Sequence, residues 1–171
     1  MKHVQTEGLS LPAVAVGCMG FAGAEQKQLC KFIEQALQGG MNFFDHADIY
    51  GGGACESAFA EAVKAMGIPR EQLILQSKCG IVPGKMFDFS EKHILEAVEG
   101  SLRRLDTEYL DCLLLHRPDE LMQPEEVASA FDKLFSSGKV RRFGVSNMHP
   151  YQIELLKSAV GQQIYADQLQ F

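Results

Sequence analysis

Four side chains in this sequence carry groups that together could manage a proton: Asp45 and Tyr50 in FFDHADIYGGG, Lys78 in QSKCG and His116 in LLLHRPD. An acid beside a lysine makes a paired cation, and a tyrosine next to that cation is unusual. Free tyrosine has a pKa of about 10 and gives up its proton poorly at neutral pH. A lysine ammonium within roughly 4–6 Å stabilises a phenolate, and each unit of such a shift corresponds to about 1.4 kcal/mol. A neutral histidine, donor and acceptor at once, can orient a carbonyl oxygen beside the phenol. The set suits protonation of an alkoxide forming at a carbonyl, where a positioned general acid contributes typically ~10²–10⁴-fold. Taken singly, each residue has an ordinary reading. Asp45 would end a strand, Tyr50 would pack as an aromatic with a satisfied hydroxyl, Lys78 would be a solvated loop cation and His116 a hydrogen-bonded histidine. Joint placement is what sets them apart.

The elements that must place them alternate along the whole chain. Residues 13–16 read as a first strand. Residues 26–38 follow as a helix, with Leu29, Phe32, Ile33, Ala36 and Leu37 on one face, and Gly39–Gly40 ends it. Strands at 42–44, 73–77, 110–115, 140–145 and 164–169 are separated by helices at 56–66, 91–105, 124–136 and 150–159. Ser90 is a plausible N-cap for the third helix. The run 110–115 is almost wholly apolar, as a strand covered on both faces should be. Strict strand–helix alternation predicts βαβ units and a parallel sheet. An open doubly wound sheet and a barrel both fit. The reactive residues follow several successive strands, which favours the C-terminal rim of a barrel over the single switch point of an open sheet. The expected fold is therefore α/β, a (β/α)8 barrel truncated after about six strands and five helices, as one domain over residues 1–171. A whole barrel takes about 250 residues, so the last two or so units are expected to be missing.

Composition narrows the function classes. Apolar residues are 46% and charged residues 22% of 171, and the net charge is −6. Without a basic stripe, neither nucleic acid nor an anionic membrane is an expected partner. Five cysteines, Cys18, Cys30, Cys55, Cys79 and Cys112, are odd in number and lack a C-x-x-C. Free thiols in a cytoplasmic protein fit them better than a disulfide framework. MKHVQTEGLSLP has no apolar leader segment.

D-H-A-D-I-Y-G at 45–51, S-K-C-G at 77–80, L-D-C-L-L-L-H-R-P-D at 110–119 and G-K-V-R-R-F-G-V-S-N at 138–147 resemble the aldo-keto reductase family, its bacterial members above all. Four motifs in order and in register with the strands make the match specific, and it covers nearly the whole chain. The resemblance implies a (β/α)8 barrel that reduces small aldehydes or ketones with NADPH, less often NADH. It implies Asp45, Tyr50, Lys78 and His116 as the catalytic tetrad, with Tyr50 as proton donor. Ser146, Asn147 and Gln168 would bind the nicotinamide carboxamide, with Asp45 beside it. The loop Gly17-Cys18-Met19 would approach cofactor and substrate, with Met19 the candidate contact. Asp167 stands where the family usually has Asn, a carboxylate expected beside the nicotinamide. Ala60 replaces a common Gly. The loops that grip the pyrophosphate and the adenosine 2′-phosphate follow strands seven and eight, outside this sequence. Activity of these 171 residues alone, oligomeric state and substrate identity are not expected to be readable.

Two other classes stay open. One is a non-catalytic relative that binds a nucleotide or a partner protein. The other is a metal-dependent barrel hydrolase using His46, Asp48 and His116, although no further ligand cluster stands at a strand end and no metal site is expected. Asp48 reads as a cap for the turn into Tyr50. Gly51-Gly52-Gly53 lacks the phosphate-loop spacing, and the glycines from Gly17 to Gly23 lack the G-x-G opening of a dinucleotide fingerprint. Cys79, beside Lys78, is a candidate reactive thiol, with a packed small residue as its plainer reading.

Overall fold

The computed structural model describes residues 1–6 and 9–170; Glu7, Gly8 and Phe171 lie outside the described residues. Strands β1 (His3–Thr6) and β2 (Leu9–Pro12) open the chain as an antiparallel hairpin with His3 opposite Pro12. Then follow β3 (Val16–Gly17), α1 (Gln26–Gln38), β4 (Phe43–Asp45), a 3-10 turn (Tyr50–Gly53) and α2 (Ala54–Met66). Next come β5 (Ile74–Cys79), the short pair β6 (Ile81–Val82) and β7 (Met86–Phe87), and α3 (Glu91–Arg104). β8 (Cys112–Leu115), α4 (Pro124–Ser136), β9 (Phe143–Ser146), α5 (Pro150–Lys157) and β10 (Ile164–Gln168) complete the series.

Six strands form one sheet in the order β10-β9-β8-β5-β4-β3, every neighbouring pair parallel. The sheet is strongly curled. Strands lie about 4.8 Å apart, so a flat sheet would hold β10 and β4, four steps apart, at about 19 Å. Instead the Gln168 amide of β10 donates to Asp45 Oδ2 of β4 at 3.0 Å. Six parallel strands on an arc, with helices outside, form most of a (β/α)8 barrel.

Strand alternation divides the two faces. Phe44, Leu75, Leu113, Leu115, Phe143 and Val145 point outward and join Ile33, Phe59, Ile94, Val98, Phe131 and Leu134 of the helices in one buried cluster. Phe131 and Phe143 stack with centroids 4.0 Å apart. Burial of each such side chain contributes about 1.5–3 kcal/mol. The concave face instead carries Asp45, Gln76 and Lys78, buried although polar.

Helices α1 and α4 have the spans that periodicity predicts, and the Ser90 hydroxyl accepts from the His93 amide as the N-cap of α3. Elsewhere the bounds move. The first barrel strand is only Val16–Gly17, because Ala13 is drawn back by the hydrogen bond that its backbone N–H donates to the Lys2 carbonyl at the foot of the N-terminal hairpin. β5 runs on to Cys79, and β8 starts at Cys112 because Leu110 makes only an isolated bridge to Val140. Among the described residues no helix is long and apolar enough to cross a membrane.

Candidate active site

Three strand ends build the centre. β4 and β5 run side by side with Asp45 opposite Gln76, so Asp45, Gln76 and Lys78 share the concave face. Lys78 is 2% exposed. Its ammonium has three protons to donate, and three acceptors surround it: Asp45 Oδ1 at 2.6 Å, the His46 carbonyl at 2.9 Å and the Tyr50 hydroxyl oxygen at 3.4 Å. Because the tyrosine oxygen accepts from Lys78, its own proton is not used in that bond. The Asp45 carboxylate is filled in turn, Oδ1 by Lys78 and the Gln76 amide at 2.7 Å, Oδ2 by Gln168. Removing Asp45 would strand a buried ammonium without its counter-charge, a change that typically costs about 3–5 kcal/mol.

His116 follows β8 and presents its ring edge-on to Tyr50, centroids 5.9 Å apart. Burial, helped by the Lys78 and Arg117 charges, lowers its pKa to about 4, so the imidazole is neutral at neutral pH. Its Nδ1 is buried with no hydrogen-bond partner among the described residues.

The opposite wall comes from the ends of β9 and β10. Ser146 Oγ donates to the Gln168 carbonyl at 3.1 Å and accepts from the Asn147 amide at 3.0 Å. Asn147 takes the left-handed φ of 56°. Its backbone N–H donates to the Gln168 carbonyl, while its side-chain oxygen takes the Gln170 backbone N–H at 2.9 Å. Tyr50, Lys78, His116, Arg117, Ser146, Asn147 and Gln168, with Leu169 and Gln170, enclose a pocket of about 240 Å³.

The structure thus brings Asp45, Tyr50, Lys78, His116, Ser146, Asn147 and Gln168 to one place. Met19 is not among them. It is 70% exposed, and its backbone carbonyl is held outside the pocket by the Cys55 thiol at 3.2 Å. Asp167 also differs from expectation. Strand alternation turns it away from the pocket, and its carboxylate accepts from the Met148 amide at 3.4 Å.

His46 sits on the outer face, fully buried, with its ring 4.7 Å from that of Phe59. Neither ring nitrogen has a hydrogen-bond partner among the described residues, and burial lowers its pKa to about 3. It therefore cannot share a ligand with His116, and among the described residues no cluster of three or more His, Cys, Asp or Glu could hold a metal ion. His46 serves Lys78 through its carbonyl alone. Asp48 does not cap the 3-10 turn. Its Oδ1 is buried without a hydrogen-bond partner among the described residues, and burial, then the charge of Glu56, pushes its pKa up to about 7. Cys79 is fully buried, and desolvation raises its thiol well above the usual range. It is a packed small residue.

Two groups escaped the sequence reading. Gln76 precedes Lys78 by two, the period that puts both on one face, and its polarity inside an apolar run was the available signal. Glu56 is fully buried behind the Tyr50 turn, bonded by Ser77 Oγ and by Arg104 Nε, both at 2.7 Å. Three elements, α2, β5 and α3, are tied together there.

Known proteins resemble this chain in sequence and in fold. The chain is 48% identical over 139 residues to the oxidoreductase YdhF of Escherichia coli (strain K12), covering 77% of this chain and 47% of that protein. It is 43% identical over 152 residues to the uncharacterized oxidoreductase YcsN of Bacillus subtilis (strain 168), covering 84% and 51%. The chain thus spans about half the length of these relatives. Among solved structures, an aldo-keto reductase of Bacillus halodurans in its holo form superposes with a TM-score of 0.85 at 30% identity, over 100% of this chain and 58% of that one. The sequence profile of the aldo/keto reductase family matches residues 13–171, a span that takes in every strand of the curled sheet and every wall of the pocket. By fold, by sequence and by the strands from which its pocket is built, the chain belongs to the aldo/keto reductase family.

Proposed function

We propose that the protein reduces an aldehyde or ketone to an alcohol with NADPH, or less readily NADH, and that Tyr50 donates the proton. The observation that carries this reading is the Tyr50 hydroxyl held 3.4 Å from the buried Lys78 ammonium, which is itself held 2.6 Å from Asp45. The phenol proton, not shared with Lys78, would be given to the carbonyl oxygen in the pocket that Tyr50 lines. As it leaves, Lys78 stabilises the phenolate charge at close range in a buried setting, where charges interact more strongly than in water. Asp45 keeps Lys78 in place, and Gln76 and Gln168 keep Asp45 in place. Neutral His116 would hold the carbonyl oxygen against the Tyr50 hydroxyl.

The residues on the far wall fit a nicotinamide ring. Ser146, Asn147 and Gln168 offer a hydroxyl and two amides at the edge of the pocket. These three would hold the carboxamide. A reduced nicotinamide bound there supplies the hydride. The pocket is small, so its own walls suit a small carbonyl compound.

The test is carbonyl reduction by the intact protein, followed as loss of nicotinamide absorbance with a panel of aldehydes. Tyr50→Phe is expected to lower kcat by ~10²–10⁴-fold, with the circular dichroism spectrum unchanged. A protein that binds the nucleotide yet reduces no carbonyl would instead be a binding module. A variant as active as its parent would remove Tyr50 from the proton-donor role.

A further inference from the structure

Arg117 follows His116 directly and lines the pocket while remaining exposed to solvent. Its charge is felt at the imidazole, where it adds to burial and Lys78 in disfavouring protonation. Unlike the other cation of the site, it has no counter-ion: among the described residues no ion pair or hydrogen bond involves its guanidinium. The nearby acids are turned to other partners. Asp119 Oδ1 takes the Leu121 amide at 2.9 Å, and Glu120 Oε1 takes the Gln152 amide at 3.1 Å. Asp45 is filled by Lys78, Gln76 and Gln168. With Lys78 and Asp45 cancelling, the pocket carries one uncompensated positive charge in a chain whose net charge is −6.

We propose that Arg117 is a specificity-determining residue that binds an anionic group, a carboxylate or a phosphate ester, carried by the carbonyl substrate. This rests on the carbonyl-reduction reading above. A guanidinium presents paired N–H donors that match either anion in a bidentate fork. Its place next to His116 sets the anionic group only a few bonds from the carbonyl that His116 orients. Short oxo-acids, semialdehydes and phosphorylated aldehydes are the compounds of that shape.

The test compares kcat/KM of the intact protein for butanal, succinic semialdehyde and glyceraldehyde 3-phosphate. At least one anionic aldehyde is expected to exceed butanal tenfold or more, mainly through KM, with the advantage shrinking as salt is added. Arg117→Gln is expected to erase that ratio. Arg103→Gln removes the same charge from α3, away from the pocket, and is expected to retain it. Which anionic aldehyde leads assigns carboxylate or phosphate. A parental ratio near one, or a ratio that survives Arg117→Gln, overturns the proposal. Should the protein reduce no carbonyl at all, titration with succinate and with inorganic phosphate, followed by the His116 NMR signals, separates the two ideas. Binding weakened tenfold by Arg117→Gln upholds the anion site while the reduction reading falls. No binding of either anion overturns the site as well.

Discussion

At the scale of single residues, the site is a set of filled valences around one buried ammonium. Its surroundings hold two groups whose titrations run in opposite directions. His46, lowered from 6.5 to about 3, takes its proton first in the unfolded chain, so the stability it supports is present above 6.5 and is lost as the pH falls toward 3. Asp48, raised from 3.8 to about 7, ionises first in the unfolded chain, so its contribution is present below 3.8 and is lost as the pH rises through 7. Asp48→Asn removes the second slope. Urea unfolding of variant and parent at pH 4 and pH 8 is expected to show the stability difference moving in the variant's favour by on the order of 1–2 kcal/mol at the higher pH, given the partial exposure of Asp48. An unchanged difference would mean that Asp48 is not held near neutrality by its burial. The grouping of Asp45, Tyr50, Lys78 and His116 was legible in the sequence because each stands in a distinctive motif. The isolation of His46 was not, since whether a strand-end side chain turns inward or outward depends on a one-residue register.

At the scale of elements, the long helices and central strands could be read from periodicity because their packing faces repeat over several turns. The two hairpins could not. β6 and β7 are two residues each, too short for alternation to register, and only the Pro83-Gly84 pair announced the turn between them. That excursion is nonetheless tightly built. Gly80, with φ of 104°, lets the backbone leave β5, and an added Cβ would lie 1.8 Å from the Phe89 ring. Phe89 is 2% exposed and has little room to yield. Gly80→Ala is therefore expected to cost more than about 2 kcal/mol, from strain and overpacking together, measured as a fall in the urea midpoint. A midpoint unchanged from the parent would mean that β6 and β7 shift freely as a unit. Gly144 plays a different part: a Cβ there would meet Leu114 at 2.5 Å and the Ala166 carbonyl at 2.8 Å. Its bareness lets β10 lie close along β9, which is how Gln168 reaches the site.

At the scale of the whole molecule, the curl of the sheet makes residues far apart in the chain into neighbours. The expectation of barrel curvature came from where the polar residues fall, after successive strands, and no local pattern could have specified the arc itself. That curvature also separates events in time. The Lys78–Asp45 pair joins residues 33 apart in sequence, whereas the Gln168–Asp45 bond joins residues 123 apart. Loops of greater length close at greater entropic cost and feature later in folding. Gln168→Ala, which removes the long-range bond, is expected to speed unfolding with little change in the refolding rate, whereas Leu75→Ala on β5, beside β4, is expected to slow refolding, both read from urea-jump kinetics. Equal slowing of refolding by the two would argue for a single concerted step. In the expected order, a nascent chain pairs its buried lysine with its acid before the wall that faces them has arrived.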